Sequence, residues 1–104
     1  MNERLIDDCY TCLLASLGLI KSLAATEHVE SHRVIQVASE LGQTCVTCIR
    51  SHEAGSVLPE IADRLAEECH QLVVASRASS LNSPEALACV TACEDLIHTY
   101  HEVV

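Results

Sequence analysis

Four stretches of this sequence repeat apolar residues at helical spacing, and six of its seven cysteines lie on those stripes in close pairs: Cys9/Cys12, Cys45/Cys48 and Cys89/Cys93. A stripe recurring every three to four residues gives a helix one face to bury, whereas the period-two alternation of a strand is absent. Four such helices can only cover one another. The chain contains no Trp or Phe although 49% of its residues are hydrophobic, so the shared interior has to be aliphatic and sulfur-rich. This predicts an all-α fold, an antiparallel up-down four-helix bundle with a cysteine-lined core, as a single domain over residues 1–104.

The first stripe runs from Glu3 to about Ala25 through Ile6, Cys9, Leu13, Leu17, Ile20 and Ala24, with Leu5, Cys12, Leu19 and Leu23 flanking it and Asn2 as a cap. The polar run Thr26-Glu27-His28-Val29-Glu30-Ser31 interrupts it. A second helix, roughly 28 to 53, carries Val34, Ala38, Leu41, Cys45, Cys48 and His52 and stops at Gly55. Ser56, Pro59 and Glu60 start a third, with Leu58, Ile61, Leu65, Cys69, Leu72 and Ser76, which ends at Ser79-Ser80-Leu81-Asn82. Ser83-Pro84-Glu85 starts the fourth: a capping serine, a proline at the first helical position and an acid near the positive end of the helix dipole. Its stripe is Ala86, Cys89, Val90, Cys93, Leu96, Ile97 and Tyr100.

Charge and hydropathy narrow the function. With 15 acidic against 6 basic residues, the chain repels nucleic acid and anionic membranes. No run of 18 apolar residues and no basic-then-apolar leader is present, so a cytoplasmic protein without a membrane span is expected. An odd cysteine count at i,i+3 and i,i+4 spacing, about 7% of the chain, reads as reduced thiols rather than a disulfide scaffold. A lone buried Cys is usually a small hydrophobe; six in helical pairs point to a metal.

Counting about 1.5 Å per residue along opposed helices places Cys9, Cys12, Cys45 and Cys48 in one upper band. Cys69 and Cys93 fall near or below the middle and Cys89 a turn lower. His98 and His101 reach the upper band, as does His52, while His28, His32 and His70 fall lower. The candidate ligands are therefore Cys9, Cys12, Cys45, Cys48, Cys69, Cys89 and Cys93, with His98 and His101 at the edge of the upper site.

The segments Cys9-Tyr-Thr-Cys12, Cys45-Val-Thr-Cys48-Ile-Arg, Ala66-Glu-Glu-Cys69-His70 and Ala88-Cys89-Val-Thr-Ala-Cys93-Glu resemble those of the copper storage proteins, cysteine-lined four-helix bundles that hold Cu(I) inside. The resemblance implies Cu(I) as the bound ion, no enzymatic activity, and a homo-oligomer, in that family often a tetramer. This chain has fewer cysteines, with Ala15, Ser16, Leu19, Ala62, Val73 and Ser76 at positions that look like cysteine positions of the family. The resemblance thus implies a smaller Cu(I) capacity.

The chemistry supports a soft ion independently. Cu(I) takes two or three thiolates without rigid tetrahedral geometry, and sulfurs a turn apart on one helix can converge on it. Three alternatives compete. Cys9, Cys12, Cys45 and Cys48 have the ligand count of a structural Zn or an iron-sulfur centre. Glu67-Glu-Cys-His70 matches half of a di-iron bundle motif, but Asp95-Leu-Ile-His98 supplies the wrong acid for the other half. A metal-free bundle acting through protein contacts is the third.

Overall fold

Each stripe becomes one helix. The computed structural model describes residues 2–25, 29–57, 59–79 and 81–103, although nothing is described of the side chains of Asn2, Val29, Glu30 and Val103. In it α1 spans Asn2–Ala24, α2 Val29–Glu53, α3 Pro59–Ala78 and α4 Pro84–Val103, with no strand among the described residues. His28 and Leu58, and Asn2 as a side-chain cap, lie outside what is described. No helix among the described residues is long and apolar enough to cross a membrane.

The helix ends follow the local chemistry. Gly55 adopts φ 126°, which residues with a Cβ rarely tolerate, and this turns the chain so that Ser56 N–H donates to the Ser51 carbonyl (3.1 Å) and Gly55 N–H to that of His52 (3.0 Å). Those bonds satisfy carbonyls that the end of α2 would otherwise leave open. At the start of α4, Ala86 N–H donates to Ser83 Oγ at 3.2 Å, the N-cap bond that the Ser-Pro-Glu run predicts. Ser83→Ala should remove about 1 kcal/mol and lower the melting temperature by roughly 4–8 °C. An unchanged melting curve would show that α4 is held by packing alone.

The four helices pack into one globule of 42 × 22 × 20 Å, close in length to the roughly 37 Å expected of a 25-residue α2. α1 and α3 each pack against both α2 and α4, while the diagonal backbones α1/α3 and α2/α4 stay apart. Side chains fill the middle. Leu19, Leu41, Leu65, Leu72, Leu96, Val34 and Val37 are fully buried there, and all seven cysteines are 0% exposed within the same cluster. Between α1 and α4, Arg4 bonds Glu102 (2.8 Å), Thr99 Oγ1 donates to Asp8 (2.5 Å) and Ser16 Oγ meets Cys89 Sγ (3.8 Å). Tyr100 donates to Asp63 between α4 and α3.

The buried line of α1 differs from the expected stripe. Of that stripe Ile6 and Cys9 are buried, but the continuous line runs Leu5, Cys9, Cys12, Ser16, Leu19 and Leu23, a strict alternation of four- and three-residue steps, whereas Leu17 is 54% exposed and Leu13 and Ile20 are half-buried. Ser16 explains the difference. A polar residue sits on the inward line while Leu13, Leu14 and Leu17 flank it, so apolar periodicity is drawn toward the wrong side of the helix.

Candidate metal centre

The inward line of α1 carries Cys12 to the centre of the bundle. There it meets Cys69 of α3 and Cys93 of α4, and the three Sγ atoms all lie within 4.8 Å of one another. The contact spans the α1/α3 diagonal, which only side chains cross. A trigonal ion with metal–sulfur bonds of about 2.3 Å needs sulfurs roughly 4 Å apart. The three thiols therefore need to draw in by less than about an ångström. Among the described residues no fourth Cys, His, Asp or Glu ligand atom joins this set at that spacing.

The remaining thiols flank the trio. Cys89, one turn before Cys93 on α4, interacts with Cys93 and with the Ser16 hydroxyl. Cys9 interacts with Cys45 and Cys48 of α2, forming a second group. The expected upper band is thus divided: Cys12 joins Cys69 and Cys93, while Cys45 and Cys48 stay with Cys9. Three residues advance about 300° around a helix, so Cys9 and Cys12 point some 60° apart and address different neighbours. Depth along the axis, readable from sequence, does not report that angle.

The trio is electrostatically asymmetric. S–H donation from Cys69, then from Cys93, pulls the Cys12 thiol down to about 5, against burial and the charges of Asp8 and Asp95. In return, interaction with Cys12 first, together with burial, pushes Cys69 and Cys93 well above the ordinary 9.0. The apo-site is one thiolate held by two protonated thiols. In the second group the bond to Cys45 is the first cause that raises Cys9, and the bond to Cys9 the first that raises Cys48. Hydrogen bonding from Cys93 lowers Cys89, with Ser16 adding to it.

The histidines take other positions. His98 and His101 lie exposed on α4 rather than among the thiols, and His98 Nε2 pairs with Glu102 at 3.0 Å. His52 is half-buried and His32 exposed. Glu67, His70, Asp95 and His98 all face outward, so the carboxylate–histidine set of a di-iron interior is not inside the bundle. Ser16 is the residue that apolar patterning passes over; the four-then-three spacing from Cys12 to Leu19 is the signal that finds it.

Comparison with protein-family models, with curated proteins and with solved structures finds no match. The functional reading therefore rests on the thiols themselves.

Proposed function

We propose that this chain binds Cu(I) through its buried thiolates, for storage, buffering or sequestration of the ion. The observation that carries the reading is the Cys12–Cys69–Cys93 cluster: three sulfurs within 4.8 Å, fully buried, with no nitrogen or oxygen ligand completing the set among the described residues. Three soft donors suit Cu(I), which accepts two or three thiolates; zinc in a closed structural site takes four. The bundle is read as antiparallel and up-down with a cysteine-lined core. In support, contacts pair early residues of α1 with late residues of α4, and Cys89 and the Cys9–Cys45–Cys48 group extend the sulfur on either side of the trio. The family resemblance of the cysteine segments points the same way.

Titration of the reduced apo-protein with Cu(I) against a competing chelator tests this. Uptake of roughly three to six ions per chain is expected, since each uses two or three thiolates and neighbouring ions share them. No retention against a weak chelator, with all seven thiols reduced, would end the copper reading.

The asymmetry of the trio sets the pH dependence. Cys12 is deprotonated above about pH 5, whereas Cys69 and Cys93 still hold protons that an incoming ion must displace. Two protons leave per ion. Affinity at this site should therefore fall by about 100-fold for each unit of acidification between pH 8 and 6, and more steeply below 5 as Cys12 protonates. Competition titrations across that range measure the slope; a pH-independent constant would mean that the ion is held elsewhere.

A further inference from the structure

The fold leaves one apolar ridge uncovered. Tyr10, Leu14 and Leu17 of α1 are three of the five exposed large hydrophobics among the described residues, and they recur at i, i+4 and i+7 on a single helix face. The other two, Val74 and Leu87, stand singly on α3 and α4. Scattered apolar residues need no partner, whereas a ridge along a helix does. Beside it α1 and α2 leave a groove of about 490 Å³ walled in part by Leu13, Leu17 and Ile20, so α2 widens the apolar surface rather than closing it.

Gly18 adds a second observation. It lies exposed in the interior of α1, where glycine is less favourable than alanine. A Cβ at this position would meet nothing within 4 Å, so nothing within the described chain requires the glycine. Close approach by another helix supplies the reason. The charges follow the same plan. Asp7 and Lys21, both exposed and without an ion-pair partner among the described residues, lie two turns before and two turns after Leu14. Tyr10 and Gly18 lie four residues before and after it, and Thr11 and Leu17 three. All six point within about 60° of Leu14 around the helix.

We infer that this ridge is the contact between two copies of this chain, α1 packing antiparallel on the partner's α1 about a two-fold axis through Leu14. In such an isologous contact, the residue a given number of places before Leu14 meets the one as many places after it in the other copy. Leu14 packs on the partner's Leu14, the Tyr10 ring lies over the partner's Gly18, and the Asp7 carboxylate reaches the partner's Lys21. The last two contacts occur twice. One face is thus bulky where its copy is bare and negative where its copy is positive. A parallel pairing would instead set Asp7 on Asp7 and Tyr10 on Tyr10. The contact runs along roughly 21 Å of helix, at the small end of specific interfaces, which gives a reversible dimer with a dissociation constant on the order of 10 μM.

Sedimentation equilibrium of the reduced, metal-free protein from about 1 to about 500 μM tests the contact. The mass should rise across this range from the 11.3 kDa of one chain to twice that value. L14E sets two carboxylates against each other at the axis and should weaken association at least about 100-fold, with an unchanged circular dichroism spectrum because Leu14 is 69% exposed in the single chain. K21E sets acid against acid at both ends and should weaken it about tenfold, whereas the exchange D7K/K21E should recover to within about threefold of the unaltered protein. A merely structural effect of either change does not produce that recovery. A chain still monomeric at about 500 μM overturns the proposal, and so does a dimer that L14E leaves intact or a D7K/K21E variant as weak as K21E. None of these outcomes depends on whether the core takes Cu(I).

Discussion

Replacing Cys12 by serine will weaken the tightest Cu(I) binding by about 1,000-fold, equivalent to about 4 kcal/mol, whereas Cys45→Ser will leave that step within about tenfold. Cys12 is the only α1 ligand of the three-sulfur cluster, and it is the thiol already deprotonated at neutral pH. Its loss removes both a ligand and the negative charge that first attracts the ion. Cys45, by contrast, belongs with Cys9 and Cys48. The fold survives the change at Cys12, because a serine hydroxyl there keeps Cys69 and Cys93 as partners and a satisfied buried hydroxyl costs on the order of 1 kcal/mol. Chelator competition on the two variants, with melting curves as the control, measures the difference. Equal losses would mean that the two thiol groups act as one site.

The reduced apo-protein should unfold steeply in alkali, and metal should abolish the effect. In the folded chain Cys9, Cys48, Cys69 and Cys93 keep their protons above the ordinary 9.0, because burial and neighbouring thiols penalise the thiolate. In the unfolded chain they lose them near that value. Above pH 9 the unfolded state therefore binds fewer protons, and stability falls by about 1.4 kcal/mol per pH unit for each such thiol, or about 5 kcal/mol per unit for four. Below pH 9 that contribution is intact. Cys12 acts in the opposite direction: its contribution is complete above 9 and fades as pH falls toward 5. Stability should thus peak near pH 8–9 and collapse within about one to three units above it, given the usual 5–15 kcal/mol of a small domain. Bound metal removes the protons in advance and flattens the curve. Denaturant unfolding under reducing conditions from pH 7 to 11 checks this; an apo-protein equally stable at 8 and 10.5 would show that the thiols are not held protonated.

The helices were legible because their ends carry local chemistry. Ser83-Pro84-Glu85 and Gly55 mark boundaries through bonds made within a few residues, and such signals do not depend on the tertiary fold. The inward faces of α2 and α3 were legible for a related reason: apart from Val74 on α3 their outward large residues are polar, so the apolar period has one solution. On α1 it has two, since Leu14 and Leu17 remain exposed while Ser16 is buried. The partners of each cysteine depend on the direction in which each helix presents it. Spacing along the chain gives the depth of each cysteine and its angle relative to others on the same helix, but how each helix is rotated against its two neighbours is set by packing.

The absence of Trp and Phe has an optical consequence. Both tyrosines sit toward the outside, Tyr10 with 47% of its surface exposed and Tyr100 bonded to Asp63, so no aromatic ring of Tyr, Trp or Phe lies among the seven buried thiols. With two tyrosines as its aromatic absorbers and no Trp, this protein has a weak near-ultraviolet background until a thiolate gives charge density to a metal. Each ion entering the core should therefore write its arrival directly into the absorption and circular dichroism spectra, above that weak background and without an added label.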